Sequence, residues 1–102
     1  MGDDREWNDA LQQASQSASS EELRQLFVTI VIFCQVADTI AFWERNWKLM
    51  SEDIEYRLRQ AFGSFEYNIP DNDLKNYVLL DLEKLFNKSG SSLRQHKLPI
   101  PT

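Results

Sequence analysis

The run LFVTIVIFC, Leu26 to Cys34, carries one polar residue, Thr29, and is the most apolar stretch of the chain. Whatever it forms must be shielded from water on nearly every side, so it restricts the fold more than any other feature. Its β-branched content would suit a strand. Against that, the lead-in SSEELRQ places Ser19 and Glu22 three residues apart, the arrangement of a helix capping box, and no second strand-like segment is available to pair with it. Helix is the better reading, over about Ser20 to Val36. Leu23, Leu26, Phe27, Ile30, Phe33 and Cys34 then share one face, and Val28, Val31, Ile32 and Val36 cover much of the rest. A helix apolar nearly all round is either central, with other helices wrapped about it, or offers one side to a partner.

Four more helical segments follow from apolar periodicity and from start and stop signals. The first runs from about Asp4 to Gln16 with a weak stripe of Trp7, Ala10, Leu11 and Ala14, and Asp3, Asp4 and Glu6 near the positive end of its dipole. Its docking is expected to be loose. A third helix, about Asp38 to Met50, has Asp38 as cap and Ile40, Trp43, Trp47 and Met50 on one face. Ser51 is placed to cap a fourth, about Glu52 to Phe62, with Ile54, Leu58, Ala61 and Phe62 inward and a sharp turn at Met50 and Ser51. After the breakers of GSFEYNIP, a fifth helix over Asp71 to Lys88 inserts Leu74, Val78, Leu82 and Leu85, with Tyr77, Leu79 and Phe86. Gly90 supplies the stop. The expected fold is all-α, a small bundle of about five helices around the central apolar one. Residues 1–90 form a single helical domain, and residues 91–102, SSLRQHKLPIPT, form an irregular tail that is extended or mobile.

A chain of 102 residues suits one core, and its 42% hydrophobic and 26% charged content is that of an ordinary globular protein. Sixteen acidic residues against 11 basic ones, a net charge of -5, disfavour autonomous binding to nucleic acid. Cys34 is the sole cysteine, which rules out an internal disulfide and is compatible with a reducing compartment. MGDDREW has neither the basic nor the apolar region of a secretory signal, and no apolar run approaches the roughly 20 residues of a membrane span. The expectation is a soluble intracellular protein, nuclear or cytoplasmic, that does not engage a membrane. On that expectation the sequon Asn87, Lys88, Ser89 reads as a chance match.

Residues that could carry chemistry are few. Glu44 with Lys48, Asp53 with Arg57 and Glu55 with Arg59 are i to i+4 pairs, ordinary for a solvated helix face. His96, the only histidine, has no second histidine at ligand spacing, and Cys34 reads as an inert thiol in an apolar run. No cofactor, metal or small-molecule substrate is implied, and no catalytic residue can be named. The tryptophans Trp43 and Trp47 read first as core. The alternative is that three Trp, three Tyr and six Phe exceed what one small core absorbs, leaving part of an aromatic stripe for a partner.

The stretches DDREWNDALQQAS, SEELRQLFVTIVIFCQV, FWERNWKLMSEDIEYRLRQ and DNDLKNYVLLDLEKLFNKSGSSL together resemble a segment of the helicase proteins encoded by plant Helitron transposons. The segment is the one just before the ATP-binding helicase core, and the likeness covers Asp3 to about Leu93. The family's nuclease histidines and tyrosines and its GxxxxGK[ST] phosphate loop have no counterpart among these residues. The resemblance therefore implies a transposon-derived helical module without nuclease or ATPase chemistry. The expected function is non-enzymatic protein interaction, with another protein or in a homodimer, through Phe42, Trp43, Trp47 and Tyr56 with Arg57 and Arg59 at the rim. Two alternatives stand beside it: a nucleic-acid accessory domain presenting Arg57, Arg59, Lys88, Arg94 and Lys97, and a small regulatory or toxic peptide acting on a host protein.

Overall fold

Cooperative capping and apolar burial turn the sequence into five α-helices and two 3-10 turns, seen in a computed structural model that describes residues 4–34, 36–63 and 68–101. The helices are α1 (Arg5–Ala14), α2 (Ser20–Phe33), α3 (Thr39–Asn46), α4 (Glu52–Ala61) and α5 (Asp71–Lys88). The 3-10 turns are Trp47–Met50 and Arg94–His96. No strand occurs among the described residues. The expected place of Asp3 and the middle of the link between α4 and α5 lie outside them.

The run LFVTIVIF is helical because its N-terminus is fully satisfied. Ser19 Oγ accepts from Glu22 N, and the Glu22 carboxylate accepts from Ser19 N at 2.9 Å. These bonds, the one from the Ser19 backbone first, hold the Glu22 carboxyl below its ordinary range. From that start α2 packs against α1, α4, α5 and the Trp47–Met50 turn, and so occupies the centre of the bundle. Leu23, Phe27, Val28, Ile30 and Val31 are buried. The helix ends at Phe33, three residues before the expected Val36, where Cys34 turns to an extended conformation. Phe33, expected inward, stands in solvent.

The link from α2 to α3 is held by the residue that precedes α1. Asp4 accepts the Ala37 and Asp38 N–H groups, one on each carboxylate oxygen, at 2.7 and 2.9 Å. Asp38 in turn caps α3 by accepting from Ala41 N. Leu11 is completely buried, so α1 is docked more firmly than its weak stripe suggested, although Ala10 faces solvent.

The expected third helix breaks after Asn46. Its last turn tightens to 3-10 geometry, which brings Met50 to zero exposure, and the chain reverses into α4. Ser51 does not cap α4: its hydroxyl donates back to Lys48 O. The tightened turn also alters the charge pairing, since Glu44 reaches across to Lys75 on α5 at 2.8 Å. α4 buries Ile54 but leaves Ala61 and Phe62 exposed, and Gly63, at φ 71°, closes it in the left-handed region open to glycine.

α5 buries Leu74, Val78, Leu79, Leu82 and Phe86 and exposes Tyr77. It ends in a Schellman motif, with Ser91 N on Phe86 O, Gly90 N on Asn87 O and Gly90 at φ 75°. The first part of the tail that follows, Leu93 to Leu98, is docked and not loose. Leu93 and Leu98 are buried in the main core, joined by a Leu98 N to Leu93 O bond across the left-handed Lys97. Thr39 Oγ1 donates to His96 O at 2.7 Å, which ties the tail to the start of α3. One continuous core results, and the Cα radius of gyration of 13.7 Å is close to the roughly 13 Å of a folded 100-residue chain.

Candidate functional site

The six residues proposed from sequence as a partner-binding face separate into three environments. Phe42 and Trp43 are 1% exposed and Trp47 is 6% exposed, so all three belong to the protein's own core and present no surface. Phe27 explains why. Its ring stacks on Phe42 at 5.0 Å and meets Trp43 edge-on at 6.3 Å, so the stripe of α3 closes on the central helix. Trp47 lies 6.5 Å from Trp43 and is roofed by the Lys75 ammonium, 5.3 Å above its ring. That stacking takes Phe42, Trp43 and Trp47 into the core, while Phe33, Tyr56, Phe62 and Tyr77 stay exposed elsewhere.

Tyr56 and Arg59 lie on the outer side of α4 with Glu52 and Glu55, where Arg59 pairs with Glu55 at 3.0 Å. Arg57 points elsewhere. It lines an open groove of about 430 Å3 between α4 and α5, together with Ile54, Leu58, Ala61, Tyr77, Leu80, Asp81 and Lys84. The α4 residues Ile54, Arg57, Leu58 and Ala61 and the α5 residues Tyr77, Leu80, Asp81 and Lys84 have the same i, i+3, i+4, i+7 spacing. Each set is therefore a single helical stripe, and the two stripes face one another without closing.

Beside the groove, Arg24 ties the two helices together. Only 3% exposed, its guanidinium donates from Nη1 and Nη2 to the two Asp53 oxygens at 2.8 and 2.9 Å, and from Nε to Asp81 at 2.6 Å. Nη1 also donates to Met50 O at 2.7 Å. One side chain from α2 therefore fixes the 3-10 turn, the first turn of α4 and the middle of α5. Burial alone would lower the Arg24 pKa, but Asp53 and then Asp81 outweigh it and the charge is retained. Arg24 was not singled out from sequence. The available signal was its position: four and seven residues before Val28 and Val31, on a helix with little solvated face.

Two other polar clusters join segments distant in sequence or order the tail. Ser91 Oγ lies 2.7 Å from His96 Nε2, a pairing invisible in the sequence, and also donates to Gln95 Oε1 at 2.9 Å. A hydroxyl has one proton. With that proton on Gln95, Ser91 Oγ accepts from Nε2 in the imidazole tautomer that is protonated there. The imidazole stacks on Phe86 at 5.1 Å, which gives it a packing role. Asn46, fully buried, donates to Phe42 O and to Asn8 Oδ1 and so joins α3 to α1. Cys34 is half-buried against the core. Among the described residues no group of three His, Cys, Asp or Glu could hold a metal ion, and no helix is long and apolar enough to cross a membrane.

Compared with protein-family models, with curated proteins and with solved structures, the chain matches none of them.

Proposed function

We propose that this protein is a non-enzymatic helical interaction module, derived from a Helitron-like transposon helicase, that acts inside the cell by binding another protein. The observation that supports the reading best is the unclosed α4–α5 face, where Leu58 and Ala61 confront Leu80 and Tyr77 while Tyr77 and Leu80 stay exposed. Apolar side chains left open along two facing stripes gain by burial against a third element. The sequence resemblance supports the transposon origin. The surface follows the structure: Arg57 is kept from the sequence proposal, and Tyr77, Leu80 and Lys84 replace the buried Phe42, Trp43 and Trp47.

The test is the double variant Tyr77→Ser, Leu80→Ser, because both residues are exposed and the change should leave the melting temperature within a few degrees. Wild-type and variant protein are used as bait in an extract of the native tissue, with the mass of each measured in solution. A partner retained by the wild type and lost by the folded variant is the expected outcome. Identical recovery of every captured protein by the two baits would remove the α4–α5 face from the proposal.

A further inference from the structure

We infer that the occupant of the α4–α5 groove is an amphipathic helix of a partner protein whose apolar stripe is flanked by acidic residues. This rests on the reading of that face as an interaction surface, and deepens it by naming the partner's chemistry. The floor and walls are apolar: Ile54, Leu58 and Ala61 from α4, Leu80 and the Tyr77 ring from α5. Such a lining accepts side chains at i, i+3, i+4 and i+7 of a helix laid between the two stripes. Each stripe spans eight residues, about 10 Å of helix from first to last, so the occupant is engaged over roughly two turns.

Charge decides which helix. Arg57 stands 69% exposed on one wall, 3.9 Å from Asp53, and Lys84 stands exposed on the other. The two carboxylates nearby, Asp53 and Asp81, already hold the buried Arg24. Among the described residues, three cations against two carboxylates leave this face positive, on a chain whose net charge is -5. Acidic flanks on the occupant therefore meet Arg57 and Lys84, whereas basic flanks meet like charge. A second copy of the chain is a poorer fit, because a two-fold contact through this face would set the Arg57 and Lys84 rims against each other. A nucleic acid strand would need a row of cations along its phosphates, and the groove offers two beside an apolar floor.

The experiment uses two labelled peptides of about 16 residues, each with leucines at i, i+3, i+4 and i+7. One carries glutamates beside the leucines, the other lysines at the same positions. Binding to the full chain is read by fluorescence anisotropy at low salt. The acidic peptide should bind saturably and roughly tenfold tighter than the basic one, a preference that shrinks as salt is added. Arg57→Glu with Lys84→Glu should reverse the order, and Leu80→Glu should weaken both peptides. Circular dichroism confirms that each variant is folded, and Arg57→Gln with Lys84→Gln, which should abolish the preference, serves if the reversal variant is not.

Equal binding of the two peptides, or acidic binding that survives both variants, overturns the inference. Tighter binding of the basic peptide that is still lost in Leu80→Glu overturns the acidic partner but leaves the interaction surface standing. Failure of both peptides overturns surface and partner together. A wild-type dimer in solution that Leu80→Glu converts to monomer assigns the groove to a second copy and also overturns the inference.

Discussion

Arg24 makes four hydrogen bonds, to Met50 O, Asp81 and both oxygens of Asp53, from a position with almost no exposure. Breaking a buried pair by removing one member costs several kcal/mol, because the groups left behind lose their partner. Arg24→Ala should therefore destabilise the protein by about 3 kcal/mol in urea unfolding. Arg24→Met, which keeps the aliphatic stem, should lose less, since Asp53 and Asp81 are more than a third exposed and can rehydrate. The pH dependence follows from Asp53. Hydrogen bonds from Arg24 hold its carboxyl below the ordinary value of 3.8. A carboxyl with a lower pKa folded than unfolded contributes stability above its unfolded value, and that contribution is lost as pH falls through the folded one. Asp53→Asn should thus be less stable than wild type at pH 7, and the two should converge as the solution is acidified below about 3.8. A constant gap across that range would show that Asp53 acts by packing and not by charge.

The elements divide by whether their signals are local. The Ser19–Glu22 box of α2 and the Asp38 cap of α3 appear in the structure as the residues announce them, since such a cap closes within four residues, and the limits of α5 follow the breakers Pro70 and Gly90; Ser51 is the local signal that tertiary packing overrides. The 3-10 turn after Asn46 and the docked tail depend on distant packing and carry no such signal. The tail lacks periodicity and its reversal uses Lys97 at φ 61°, a conformation a lysine side chain does not advertise. Burial of Leu93 and Leu98, with contacts from Thr39 and Phe86 to His96, holds it in place. Leu93→Ala and Leu98→Ala should each lower stability by about 2 to 3 kcal/mol in thermal or urea unfolding, as large-to-small changes in a core do. Gly90→Ala has open space for its methyl group but must hold a left-handed backbone, and should cost about 1 kcal/mol.

At the scale of the whole molecule, the tryptophans are structural and the groove is separate from them. Trp43→Ala should remove about 3 to 5 kcal/mol, a large share of the roughly 5 to 15 kcal/mol that holds an ordinary domain folded. Wild-type tryptophan fluorescence should be dominated by shielded rings, and Tyr56→Ala, on the outer side of α4, should leave the unfolding curve within about 0.5 kcal/mol. The sequence by itself determined the all-α class, the central place of the Leu26 to Cys34 run and the core role of Leu74, Val78 and Leu82, since periodicity and capping act within a few residues. Only the tertiary structure decided that Phe42 and Trp43 close on Phe27 with Trp47 behind them, that Leu93 and Leu98 complete the core, and that α4 and α5 leave a groove between their facing stripes. Those outcomes depend on which side chains from distant segments reach the same space first. Here Arg24 claims Asp53 and Asp81, and the groove lies beside the ion pair that this contact creates.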